Sequence, residues 1–444
     1  MNHSYAFMAA AAVLTPQVTR SQPVESLIYN FSGGADGNSP VAGLIADSSG
    51  ALYGTTQTSN KVGGCTPTCG VVFKLTPPGN GQTTWTETVL YTFTGGKDGG
   101  APGAGLLMDS SGALYGTTQS GGPRLGGTVF KLTPPAQGAT VWTETVLYGF
   151  NLQNPVGGET PEAGLIADAS GALYGTTVVG GSAQLICQGT PYGTGCGTVF
   201  KLAPPGNGKS TWTEQVLHKF AGGSDGSNPV AGVVMDTAGA LYGTTIAGGS
   251  STYCADGYIG CGTAFKLQPP AQGKTVWTET FLHKFSGGAD GAAPYASLVP
   301  ASGGAFYGTA AESGTSAGVV FELTPPGAKA RWTQKILYTF SGPDGEWPNY
   351  MSVGAGGVLY GTTEFGGVNP NGLCNPSGCG NVFSLTPPLK GKKAWIEAVL
   401  HDFGGPTGDG AAPLSGVIIG ANGNLYGTTY EGGANYGTVF EIVP

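Results

Sequence analysis

Charge is what this sequence has least of. Asp, Glu, Lys and Arg together make up 10% of its 444 residues, against about 25% in an average soluble domain. Only three arginines occur, Arg20, Arg124 and Arg331, and the net charge is −8. No basic patch is available to displace counterions from a phosphate backbone, so nucleic acid is not an expected partner. Long apolar runs are also missing, and none approaches the roughly 20 residues that span a bilayer as a helix. Histidine is scarce, with four in all. No His and Cys stand at metal-ligand spacing, so no metal or other cofactor is expected. No G-x-S-x-G motif stands on a strand-to-helix turn, which leaves triad chemistry without support.

Glycine and proline are abundant, at 82 and 31 residues. Without a period such a load means disorder; here it has one. Tyr-Gly-Thr recurs at Tyr53, Tyr115, Tyr174, Tyr242, Tyr307, Tyr360 and Tyr426, a spacing of roughly 50 to 70 residues that marks a propeller or a solenoid. Each copy holds four strand candidates, in the first copy AGLIAD (42–47), ALYGTT (51–56), GVVFKLTPP (70–78) and TWTETVLYTF (84–93). All are short, rich in β-branched or aromatic residues and bounded by turn formers, and helical periodicity is absent. The expected fold is all-β: a seven-bladed β-propeller with four-stranded antiparallel blades. The chain begins its repeats in a fourth strand, SLIYNF (26–31), and stops in a third strand, GTVFEIVP (437–444). The N-terminal strand should therefore complete the last blade as its outer edge and clasp the ring. An open β-solenoid is the structural alternative.

Six fourth strands open with Trp85, Trp142, Trp212, Trp277, Trp332 and Trp395. Alternation along WTETVLYTF places Trp, Glu and Thr on different faces, and the tryptophans are expected to pack between blades. His218, His283 and His401 stand where other copies carry Tyr and are read as structural. The apolar run from Ala6 to Leu14 suits a secretory signal, although the basic start is missing. Residues 1–25 are taken as leader and 26–444 as one propeller domain. Eight cysteines fall into the close pairs Cys65 with Cys69, Cys187 with Cys196, Cys254 with Cys261 and Cys374 with Cys379. Each is expected to be a local disulfide in the loop between second and third strands, which fits an extracellular or periplasmic location.

The text YGTT...GGxxxxGTVFKLTPP...WTETVLYxFxGGxDGxxPxAG, legible from Tyr115 to Gly164, resembles the GloVer tandem repeat of bacterial exported choice-of-anchor proteins. The resemblance covers Ser26 to Pro444 and implies an exported repeat protein of unassigned biochemical role. Such proteins often end in a sorting segment. This sequence stops in a strand, so release into the medium or periplasm is expected instead.

Candidate sites come from variation among copies, because a scaffold repeats and a site need not. The longest loops between second and third strands, 180–197 and 248–262, carry Tyr192, Tyr253, Tyr258 and Asp256. Blade six adds Trp347, Tyr350 and Phe365. These aromatics could stack on sugar rings, bury against a protein partner or pack their own loops. Glu312, Glu364 and Glu431 follow the second strands of blades five to seven and are candidates for an acid and base pair in glycosidic cleavage. The Asp-Gly-x-x-Pro motif at Asp36, Asp98, Asp225, Asp290, Asp344 and Asp409 reads as turn chemistry, with a carboxylate ring that binds a cation at the channel mouth as the alternative. The functional expectation is a binding or scaffold module for carbohydrate or a protein surface. A carbohydrate-active hydrolase or lyase is the competing class, and a structural surface or filament subunit a third.

Overall fold

A computed structural model describes residues 23–59, 69–79, 81–181, 187, 194–206, 210–249, 254, 259–314, 317–327, 331–367, 374, 377–405 and 408–444. Seven four-stranded antiparallel sheets stand as the blades of a β-propeller. Blade one comprises β2 (Ile45–Ala46), β3 (Leu52–Thr56), β4 (Val71–Thr76) and β5 (Thr86–Thr92), in that order from the channel outward. Blades two to six repeat the pattern. Blade seven joins β26 (Ile418–Ile419), β27 (Leu425–Thr429) and β28 (Thr438–Val443) to the N-terminal β1 (Val24–Asn30). The clasp starts two residues before the expected strand, because Val24 pairs with Val443 and Glu25 with Ile442 along the full length of β28.

The Tyr-Gly-Thr motif builds the contacts between blades. A Cβ on Gly54 would lie 2.6 Å from the Phe73 ring, and the equivalent glycines of the other six blades would meet their own Phe at 2.4 to 2.7 Å. Only glycine lets that ring lie flat across the second strand. Phe73 in turn meets Phe31 of blade seven edge-on at 5.2 Å. The same pairing joins Phe93 to Phe130, Phe150 to Phe200, Phe220 to Phe265, Phe285 to Phe321, Phe340 to Phe383 and Phe403 to Phe440, at 5.0 to 5.3 Å. The first Thr of each motif adds a hydrogen bond nearer the channel. Thr55 Oγ1 donates to the Ala104 carbonyl at 3.1 Å, and Thr428 closes the circle on Ala42 at 3.2 Å. The motif tyrosine receives a tryptophan from the next blade, as Trp85 on Tyr426, Trp332 on Tyr242 and Trp395 on Tyr307.

Two strand expectations change. The innermost strand of most blades pairs over two residues instead of six, because carbonyls such as those of Ala42 and Ala104 are engaged by the neighbouring blade's Thr. Blade six differs, with β22 spanning Glu346–Val353. In the outer strands Trp85 and Glu87 stand two residues apart and share the half-buried face, while Thr86 and Thr88 are exposed. A one-residue bulge then follows in each blade, as between the Val72–Tyr91 and Phe73–Val89 pairs.

Cys187–Cys196, Cys254–Cys261 and Cys374–Cys379 are disulfides with Cα separations of 5.2, 5.4 and 5.2 Å. Cys65 lies outside the described residues. No helix among the described residues is long and apolar enough to cross a membrane.

The glycine argument is testable by denaturant unfolding. Gly175→Ala places a Cβ 2.7 Å from Phe200 and should cost about 1–3 kcal/mol through overpacking. Gly206→Ala meets nothing within 4 Å and should stay within about 0.5 kcal/mol of the parent.

Candidate functional site at the channel mouth

On the face that carries the loops between second and third strands, every blade offers the channel one position and five of the seven offer a second, Val178 and Ile246 of blades three and four being buried instead. One follows the proline of the loop entering the blade and the other follows the second strand. Side chains at these positions meet one another across blades, as Gln57 meets Gln119 and Asn349 meets the Pro413 carbonyl, but they take no part in the Phe, Trp and Thr contacts described above, so that packing does not dictate their identity. They line a cavity of about 640 Å³. After the proline come Val41, Gly103, Glu162, Val230, Tyr295, Asn349 and Leu414; after the second strand Gln57, Gln119, Ala311, Glu364 and Tyr430 reach the same space. The wall is differentiated. Gln57 Nε2 donates to Gln119 Oε1 at 3.0 Å on one side. Aromatic rings gather on the other, where Trp347 stacks on Tyr295 at 6.3 Å with an 18° tilt and meets Phe365 edge-on at 5.6 Å. Tyr350, 39% exposed, and Tyr430 extend that surface. Burial pushes the carboxyl groups of Glu162 and Glu364 up to about 7.

The Asp-Gly loops do something else. Asp36 accepts from Ser32 N at 2.7 Å, Ser32 Oγ at 2.6 Å and Gly34 N at 3.2 Å, and Gly37 follows at a φ of 87°. That is turn chemistry, and none of the six aspartates lines the channel. They lie at the blade junctions, each beside the Tyr or His that precedes its turn and close to the next blade's outer strand. Tyr29, Tyr91 and Tyr338 donate to Asp36, Asp98 and Asp344. Facing these pairs are Glu87, Glu144 and Glu397, each pushed to about 7 by burial and then by the neighbouring aspartate. Where the aspartate is missing, Tyr148 OH donates to Glu214 Oε2 at 3.4 Å. Where the glutamate is missing, Gln334 Nε2 donates to the Asp290 carbonyl at 2.8 Å.

The sequence model of the family described as Gloeobacter/Verrucomicrobia repeat matches residues 14–255 and 252–444. The chain belongs to this repeat family. Among solved structures the protein is similar to an oxidoreductase described as a glucose dehydrogenase from Thermus thermophilus, at 13% identity and a TM-score of 0.40, over 95% of this chain and 100% of that one. It is also similar to a structure described as a 6-phosphogluconolactonase from Bacteroides uniformis, at 12% identity and a TM-score of 0.47, over 85% and 88% of the two chains. Likeness at that level carries no argument about chemistry. A search of curated proteins finds no match.

Against this repeat scaffold, the residues singled out from sequence separate. Trp347, Tyr350, Phe365 and Glu364 come together at the channel mouth. Glu312 and Glu431 stand one residue further along their copies, where their backbones bridge to Ala292 and Ala411; neither lines the cavity. Tyr192, Tyr253, Asp256 and Tyr258 lie outside the described residues. Sequence reasoning missed Glu162, Tyr295 and Tyr430. Aligning the residue after each loop proline, and the residue after each second strand, would have found them as members of two columns whose identity varies from copy to copy.

The carboxyl groups of Glu162 and Glu364 should make stability depend on pH. Both are raised from an ordinary 4.5 to about 7, so the native state holds these protons more tightly than the unfolded chain. Their contribution is complete below pH 4.5 and is lost as the pH rises through 7. Glutamine imitates the protonated form. Thermal melts of Glu162→Gln/Glu364→Gln should match the parent near pH 4.5 and exceed it at about pH 8.

Proposed function

We propose that the protein is an exported propeller that binds carbohydrate at the channel mouth. Trp347 carries this reading. The residue before the loop proline has positive φ in every blade, at Ser39, Ala101, Thr160, Asn228, Ala293, Trp347 and Ala412, with Trp347 at 59°. The scaffold therefore demands a left-handed residue there, and six copies supply a small or short polar one. A bulky side chain in that conformation is unusual and costs on the order of 1–3 kcal/mol. Blade six carries a tryptophan there and presents its ring beside Tyr295 over the cavity.

A flat aromatic surface opposite amide and carboxyl groups suits a sugar, whose C–H faces stack on rings while its hydroxyls take hydrogen bonds. The cavity volume falls in the usual range for small-molecule sites, about 300–1,000 Å³, which favours a glycan over a flat protein surface. Three disulfides support an oxidising, extracytoplasmic setting. The hydrolase or lyase reading retains one specific support, the two carboxyl groups of Glu162 and Glu364 poised near neutrality in one cavity.

Calorimetric titration with a panel of oligosaccharides tests the binding reading. At least one glycan should bind, and Trp347→Ala should weaken it about tenfold or more, equivalent to 1.4 kcal/mol, with melting unimpaired. A parallel reducing-end assay should show no cleavage. Sustained cleavage abolished by Glu364→Gln would replace binding with hydrolysis as the function.

A further inference from the structure

The junction between blades three and four differs from the tyrosine junctions. His218 of the blade-three outer strand, Asp225 of the following loop and Glu279 of the blade-four outer strand point their ligand atoms at one another, all within 4.8 Å. His218 Nε2 lies 3.4 Å from Asp225 Oδ2 and 3.9 Å from Glu279 Oε1. The Glu279 side chain is only 10% exposed, and its Oε1 is buried without a hydrogen-bond partner, as are those of Glu87, Glu144 and Glu397 at other junctions; here His218 Nε2 is buried without a partner as well. Leaving two such atoms unsatisfied is costly unless something occupies the space between them.

The spacing indicates what fits there. A tetrahedral cation with bonds of about 2.0–2.2 Å separates its ligand atoms by about 3.3–3.6 Å; the 3.4 Å distance falls in that range and the 3.9 Å distance lies a few tenths of an ångström above it. One imidazole nitrogen with two carboxylate oxygens suits a zinc-class transition cation, whereas calcium prefers an all-oxygen shell. We propose that His218, Asp225 and Glu279 form a metal site for a divalent transition cation of the zinc class, which bridges blades three and four. Lys284, whose Nζ donates to the Ser224 carbonyl at 2.6 Å, stands beside the site and limits its negative charge. At the junction of blades six and seven the same residue types, Glu25, His401 and Asp409, also cluster. There His401 Nε2 and Asp409 Oδ2 are in direct contact at 2.6 Å, too close to be two ligands of one ion, and only Glu25 Oε1 is left without a partner.

The chain itself supplies variants that the scaffold accepts. Tyrosine occupies the His218 position at Tyr29, Tyr91, Tyr148 and Tyr338, and glutamine occupies the Glu279 position at Gln334. Tag-free full-length protein stripped with chelator would be titrated calorimetrically with ZnCl₂ and, separately, CaCl₂, with bound metal counted by mass spectrometry. The parent should bind one zinc ion at this site and melt higher with it. His218→Tyr and Glu279→Gln should each weaken zinc binding at least tenfold and abolish the melting shift, while Glu25→Gln keeps both. The proposal is overturned if the parent binds no zinc, if calcium binds as tightly, if both variants retain parental zinc affinity, or if Glu25→Gln alone loses the ion.

Discussion

The structure depends on the edge-on contact between a phenylalanine that ends one blade's outer strand and a phenylalanine in the next blade's third strand. Six of the seven junctions have it, Phe285 on Phe321 being tilted at 56° instead, and the inner ring always lies over a glycine that cannot carry a Cβ. The Tyr-Gly-Thr repeat follows from this constraint. Glycine makes room for the ring, tyrosine receives the neighbouring tryptophan, and threonine ties its blade to the next through a carbonyl. Fully buried phenylalanines therefore stand in every blade, and the core is a circle of equivalent contacts instead of a single centre. Closing that circle needs the N-terminal strand, which brings Phe31 of blade seven onto Phe73 of blade one, beside the bond from Thr428 to the Ala42 carbonyl.

A closed circle of equivalent contacts leaves two places where blades can differ without cost to packing. One is the pair of positions that face the channel, and the other is the outer part of each junction. The channel positions vary from glycine and valine to glutamate and tyrosine, and this makes the cavity lopsided, with amides in blades one and two and aromatics in blades five to seven. The junctions vary by substitution within one theme, two acidic residues and a tyrosine or histidine. The scaffold therefore restricts chemistry to positions that its repeated Phe, Trp and Thr contacts do not use.

The fold was legible in the sequence because its signals recur at fixed spacing: the glycine, the proline after the third strand and the tryptophan opening the fourth. What failed to show was adjacency across blades. Glu279 is distant from His218 along the chain, and nothing in either copy alone indicates that they meet. The inner strands read as six residues long because their apolar pattern continues, yet most of that stretch bonds sideways to the neighbouring blade. Glu312 and Glu431 looked equivalent to Glu364 as acids after second strands. The one-residue offset places them on a backbone bridge instead of the channel wall. Register, which the sequence pattern did not reveal, decided which acid faces the cavity.

The low charge content and the acidic junctions have a common origin. At a junction such as that of Asp36 and Glu87, two carboxyl groups share a half-buried space, and only one can ionise cheaply. Glu87 receives no donor on its buried oxygen and stays protonated to about 7, pushed up by burial and by the neighbouring Asp36, while Asp36 collects amide and hydroxyl donors from its turn. An additional lysine or arginine would have to enter the space between blades to neutralise it, where a long side chain would compete with the Phe and Trp contacts. Protonation removes the charge without adding volume. Histidine in place of tyrosine changes that balance, because it exchanges a hydroxyl donor for a nitrogen that can be a ligand. At the blade three and four junction the exchange occurs with both acids present and the three groups held apart, so the same physics that limits charge at the other junctions there leaves room for a cation.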